Sequence, residues 1–220
     1  VMTNVQAKKS ADLVKAAFVK LATFFALTFF MLIVTFPSQA AFCSLRDPVS
    51  AIQALYTQEY QFRTVVTDVT EADREQMKQQ LPFTIHQSEV AKHTLYVLYK
   101  DQQAEGFLQA RSEWAKWGLV EIAWAINLDR TLKGFYFQRC RSPQCNDTVT
   151  RSISHVIQGK SFSQLKSLLS DDGETLSAYG ESVFPIAPKL ALLTLRSALK
   201  TLAITDISWR KDLQNLAIAH

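Results

Sequence analysis

Hydrophobic and polar positions alternate most regularly over residues 119–140, LVEIAWAINLDRTLKGFYFQRC. Val120, Ile122, Trp124, Ile126 and Leu128 recur at period two on one face, and Leu119, Glu121, Ala123, Ala125 and Asn127 occupy the other. Asp129, Arg130 and Thr131 supply a tight connection, after which Phe135 and Phe137 alternate with Gly134 and Tyr136. The pattern predicts a central hairpin with one bulky apolar face and one face of mostly small side chains. A second hairpin is predicted from HTLYVLYK (93–100), a turn at 101–103 and EGFLQARS (105–112), with Trp114, Lys116, Trp117 and Gly118 linking the two. The result is an antiparallel meander of about four or more strands.

Helical spacing governs the rest. Asp47 caps and Pro48 starts a short helix carrying Val49, Ile52, Leu55 and Tyr56. An extended stretch at 61–69 follows. Thr70 and Asp73 then open EADREQMKQQL, a charged surface helix stopped by Pro82. Ser161 and Gln164 form a capping box ahead of Leu165, Leu168 and Leu169, with a polar loop running on to Glu181. Residues 189–204, KLALLTLRSALKTLAI, are apolar around most of the helix and belong deep against the sheet. A short amphipathic helix over 208–217 carries Trp209, Leu213 and Leu216. The fold class is therefore α+β, a meander sheet with helices packed on it.

The first 40 residues read differently. Lys8, Lys9, Lys15 and Lys20 precede an uncharged apolar run at 21–36, followed by Pro37, Ser38, Gln39 and Ala40. That order describes an export signal cleaved after Ala40, or an anchor retained in the membrane. A lipoprotein acceptor at Cys43 is a third option, for which Phe42 is a poor preceding residue. Each option makes 1–40 a signal or anchor and 41–220 a single exported domain, periplasmic or held on the outer side of the cytoplasmic membrane. Of the chain's 24 basic and 20 acidic residues, four Lys and one Asp lie within 1–40, so the exported part carries a net charge of only +1. No basic stripe remains to support nucleic-acid binding.

Three cysteines, Cys43, Cys140 and Cys145, fall in the exported part, where a disulfide is permitted. Chain entropy favours Cys43 with Cys140 because the loop is long; Cys140 with Cys145, around Pro143, is the other pairing. No C-x-x-C motif occurs, and His86, His93, His155 and His220 lack metal spacing, so no metal site is expected. No nucleophile motif or paired acid points to a hydrolase. The candidate chemistry lies in Arg139 and Arg141 flanking Cys140, with Lys160 behind Gly159: guanidinium groups grip phosphate in a bidentate way and glycine admits close backbone approach. The plainer reading is a solvated basic strand end.

The succession of N-terminal membrane segment, helical lead-in, Tyr-rich hairpin, GLVEIAWAINLDRTLKGFYF (118–137), Gln158, Gly159 and Lys160 before a helix, and a long final helix resembles the extracytoplasmic FMN-binding domain of Rnf-type complexes and the sodium-pumping quinone reductase. The resemblance covers about residues 45–204. In that family the Thr of a Ser-Gly-Ala-Thr motif before the last helix carries FMN, whereas GESVFPIAP (180–188) offers Ser182 and no Thr. The resemblance therefore implies either FMN held without a covalent bond, or a domain that kept the fold without the cofactor. On the first reading Arg139, Arg141, Gly159, Lys160 and Ser182 hold the flavin, Trp114 and Trp117 are candidates to stack on its ring, and electrons pass to a membrane-associated redox partner. On the second the domain binds a partner or serves an assembly without catalysis.

Overall fold

The computed structural model describes residues 45–56 and 58–218. The apolar run, its basic flank, Cys43 and His220 lie outside the described residues. Five strands form one open antiparallel sheet in chain order: β1 (Gln61–Asp68), β2 (Lys92–Lys100), β3 (Gln103–Ala115), β4 (Gly118–Ile126) and β5 (Leu132–Arg139). Every connection joins neighbours, so the predicted meander is present with a fifth strand, β1, on one edge. Asp101 and Gln102 both take positive φ, giving the two-residue turn whose twist suits adjacent antiparallel strands. At the β4–β5 turn, Asp129 Oδ1 accepts from the Thr131 amide at 2.9 Å and from its hydroxyl at 2.7 Å.

The two faces of the sheet carry separate cores, as the alternation in β4 requires. Val120, Ile122, Trp124 and Ile126 are fully buried in the larger core, joined by Leu95 and Val97 of β2 and Phe107 of β3. The long helix numbered α6 here (Pro188–Ser208) covers that face, with 14 of its 21 residues buried. Each fully buried leucine in it contributes roughly 1.5–3 kcal/mol. Its N-terminal Pro188 fits the first helical turn, where the amide has no partner to lose. Ala123 and Ala125 point the other way into a smaller core with Leu98, Leu108 and Ala110. There α1 (Pro48–Leu55) lies over β5, capped by Asp47 as expected. Small residues on this face let α1 approach closely. A Cβ at Gly106 would sit 2.8 Å from the Ile126 carbonyl oxygen and 2.9 Å from the Tyr56 hydroxyl.

The remaining helices are α2 (Glu71–Gln80), α3 (Asp147–Ile157), α4 (Phe162–Lys166), α5 (Ala178–Val183) and α7 (Arg210–Ile218). Thr70 and Asp73 close a reciprocal capping box on α2, and the Gln164 side chain accepts from the Ser161 amide at 2.9 Å ahead of α4. Two elements depart from the sequence reading: α3 and the short α5 stand where no helix is expected. In α3 six β-branched residues mask a helical stripe of Val149, Ile153 and Ile157, and the side chain of Asn146 caps it. None of the described helices is long and apolar enough to cross a membrane.

The disulfide corrects the favoured pairing. Cys140 bonds Cys145, not Cys43. A turn in which the Cys145 amide donates to the Ser142 carbonyl at 3.0 Å brings the two Cα atoms to 6.2 Å, within ordinary disulfide reach. Local geometry here overrides the entropy argument for the longer loop. The bond is compatible with an oxidising, extracytoplasmic location.

The close approach at Gly106 gives a direct test of the two-sided packing. Gly106→Ala is expected to destabilise the domain by about 2 kcal/mol, because the clash is with backbone as well as with Tyr56. Urea unfolding of the variant against the parent chain, read as a shift in midpoint at constant slope, checks this.

Candidate functional site

Along β3 the side chains of Phe107, Gln109, Arg111 and Glu113 fall on the α6 side of the sheet, and those of Leu108 and Ala110 on the α1 side. The α6 face should be as apolar here as its neighbours, yet past Phe107 it turns polar. Glu89 arrives from the 3-10 turn Gln87–Glu89 just ahead of β2, and Lys200 from the middle of α6. These four charges meet. Lys200 Nζ lies 2.6 Å from Glu113 Oε2 and 3.1 Å from both oxygens of Glu89. Arg111 donates to Glu89 Oε2, and its Nε stands 3.6 Å from Glu113 Oε1. Two cations against two anions leave the cluster neutral, which is what allows exposures of only 2% for Arg111, 7% for Glu89 and Lys200, and 9% for Glu113.

Glu89 is the hub. It accepts from Arg111, from Lys200 and from the His86 amide at 3.2 Å. Burial alone would raise its carboxyl, but the Arg111 and Lys200 charges outweigh burial and hold it below the usual carboxylate range. His93, fully buried on β2, has Nε2 2.9 Å from the Glu89 carbonyl oxygen, so that nitrogen carries the proton and donates. Burial first, and the Arg111 charge second, push His93 down to about 4, so the ring is neutral near pH 7. Further in, Trp124 Nε1 donates to Ser197 Oγ at 3.1 Å, and both polar atoms of buried Gln109 lack a hydrogen-bond partner. A polar seam thus runs between sheet and helix from the middle of β3 to its end.

The seam opens to solvent in a cleft of about 390 Å³. Lys189, Leu192, Leu193, Arg196 and Lys200 line it from α6, spaced so that they form one stripe along the helix. Glu89 and Glu113 form the opposite floor, and Trp114, 75% exposed, stands at the edge. Arg196 bonds Glu174 at 3.1 Å and lies over the Phe83 ring at 4.5 Å. Lys189 has no ion-pair partner among the described residues. A hollow of about 580 Å³ at the β2–β3 turn, lined in part by Tyr60, Tyr99 and Lys100, is larger, but it holds no buried charge and reads as a surface depression.

The residues expected to hold a flavin phosphate do not converge. Arg139 ends β5, 3.9 Å from Glu121, and Arg141 is exposed just beyond it. Gly159 and Lys160 sit at the other end of β5: the Gly159 amide donates to the Leu132 carbonyl at 2.7 Å, and the Leu132 amide donates to the Lys160 carbonyl at 3.0 Å. Seven residues of extended strand separate the pairs by about 23 Å. Gly159 takes positive φ to turn the chain out of α3, and its amide is already used. Ser182 donates its hydroxyl to the Tyr179 carbonyl at 2.7 Å on the exposed side of α5. One phosphate cannot be gripped by this set, so the residues do not fit the group the resemblance implies. Trp124 is core, as expected. The sequence matches no family model, no curated protein and no solved structure.

The seam had a signal in the sequence. Gln109, Arg111 and Glu113 repeat at period two in a strand that has neighbours on both sides, and Lys200 interrupts an apolar helix turn.

Two outcomes follow from this geometry. Lys200→Met leaves Glu89 and Glu113 buried with Arg111 as their only cation in the cluster, and is expected to cost roughly 3–5 kcal/mol, part of which Glu113→Gln restores in the double variant. Urea unfolding of the four proteins measures the coupling. His93 binds a proton in the unfolded chain below its ordinary value of about 6.5 but in the folded chain only below about 4. Its contribution is therefore full above about 6.5 and is lost as pH falls toward 4, by up to about 3 kcal/mol. Stability measured across that window should slope less steeply in His93→Gln.

Proposed function

We propose that residues 41–220 form an extracytoplasmic binding domain that takes a small acidic amphiphile into the cleft between β3 and α6. The observation that carries this reading is the stripe on α6. Leu192 and Leu193 offer an apolar wall, while Lys189 adds a positive charge to a floor whose own charges cancel. A carboxylate head meets Lys189 at the rim and an alkyl or aromatic body covers the leucines, a division of labour common to small-ligand sites. The neutral network below acts as a rigid floor and supplies no unpaired acid or base for a reaction. The flavin reading is left with its overall order of elements and without a phosphate site.

The test is a titration of the full chain with dodecanoate, followed by Trp emission and by calorimetry. Saturable binding that Lys189→Glu weakens about fivefold, the effect of ~1 kcal/mol at the rim, supports the reading. No saturable response, or equal affinity for the uncharged alcohol of the same length, rejects it. A visible absorption spectrum of the chain recovered from its host separates the other possibility: flavin bands would return the chain to the redox class.

A further inference from the structure

We infer that the middle of the seam holds ordered internal water, which joins the Gln109 amide to His93 Nδ1 on one side and to the Ser197 hydroxyl on the other. The inference does not depend on what the cleft binds.

Gln109 stands in the central strand of the five and is fully buried, and neither polar atom of its side chain has a hydrogen-bond partner among the described residues. Burying an unpaired polar atom costs more than a made hydrogen bond returns, so an amide with both ends unpaired demands a small polar partner. Its register neighbours do not meet that demand. Leu95 lies opposite it on β2, and Trp124 opposite it on β4 gives its indole proton to Ser197 Oγ at 3.1 Å.

Two polar groups stand one step further out. His93 lies two residues before Leu95 on the same face of β2, which makes it the diagonal neighbour of Gln109 at about 7–8 Å. Its Nε2 gives a proton to the Glu89 carbonyl, so Nδ1 is left as an acceptor, and that nitrogen is also buried without a partner. The ring is neutral near pH 7, which keeps the acceptor open. One water that takes a proton from the amide and gives one to Nδ1 holds the two nitrogens roughly 5–6 Å apart, a span that fits diagonal neighbours.

The second group belongs to α6. Thr194, Ser197, Thr201 and Thr205 are fully buried and recur three or four residues apart on one face of the helix. The contact between Ser197 and Trp124 turns that face to the sheet. Thr194, Thr201 and Thr205 return their protons to carbonyls four residues back, at 2.7 to 2.8 Å. Ser197 Oγ accepts from Trp124 and has its own proton to give. Gln109 Oε1, one strand away from Trp124, is the matching acceptor, and a water that takes the Ser197 proton and gives one to Oε1 completes the amide. Amide, imidazole and hydroxyl are all uncharged, and the ligand that both donates to and accepts from such a set is water.

Water-selective cross-relaxation NMR on the 15N-labelled full chain tests the inference. The Gln109 side-chain amide protons are expected to exchange magnetisation with long-lived bound water, and to keep doing so in Ser197→Ala, where the water on the His93 side remains. An amide that contacts only protein protons overturns the inference, and so does a water signal that disappears in Ser197→Ala, since that signal was relayed by the hydroxyl. Urea unfolding gives an independent reading. Gln109→Met is close in volume and is expected to lower the midpoint, because it removes the water and leaves His93 Nδ1 alone. An unchanged or raised midpoint is the mark of an amide that had no partner to lose, and overturns the inference. The NMR reading is made on the parent chain and needs no folded Gln109 variant. Dodecanoate binding is blind to both measurements, so the cleft and the internal water fail separately.

Discussion

Four charges removed from water between one strand and one helix constrain this fold more than any apolar contact. Taking Glu89, Arg111, Glu113 and Lys200 out of solvent costs several kcal/mol for each ion, and only their mutual contact offsets that cost. Their geometry therefore fixes the axial position of α6 along the sheet. Sliding the helix by one turn, about 5.4 Å, would carry Lys200 away from both carboxylates and bring Ala203 and Ile204, or Arg196 and Ser197, into its place. Apolar packing alone is tolerant of such slips, because a helix that is hydrophobic on most sides offers several acceptable seats. In this chain the ion cluster selects one of them, and Trp124 donating to Ser197 pins the same helix three residues away.

The sheet and its principal helix were legible because their signals are local. Period-two alternation in β4, capping residues at Asp47 and Thr70, and the near-continuous apolar surface of α6 each need only a short window. α3 was hidden by chemistry: a helix made largely of Thr, Val and Ile competes poorly on propensity, and it stands because Val149, Ile153 and Ile157 pack on the core. The ion cluster was hidden by distance. Lys200 meets a partner 87 residues away and another 111 residues away, a coincidence no window contains. Its local traces were a lysine within an apolar helix turn and polarity on one face of β3, which reads as solvent exposure until a neighbouring strand is known to lie on each side.

The same contrast explains why the residues named for a flavin phosphate do not converge. Arg139 and Lys160 are 21 positions apart and flank one hairpin strand, which on paper is close. An extended strand converts that closeness into separation, since β5 carries its two termini to opposite ends of one sheet edge. Order of elements sets a fold class, and ligand chemistry needs side chains that converge. Convergence occurs instead where β3, the turn before β2 and α6 meet, and that is where the cleft opens.

One end of the sheet thus holds both the cleft and the exposed turn, and this is a consequence of strand length. β3, at 13 residues, is the longest strand, and its last residues outrun β1 and β2 on one side. Glu113 and Trp114 project there on opposite faces, one down into the ion cluster and one out to solvent. Lengthening a strand past its neighbours exposes apolar side chains at its tip, which soluble surfaces limit.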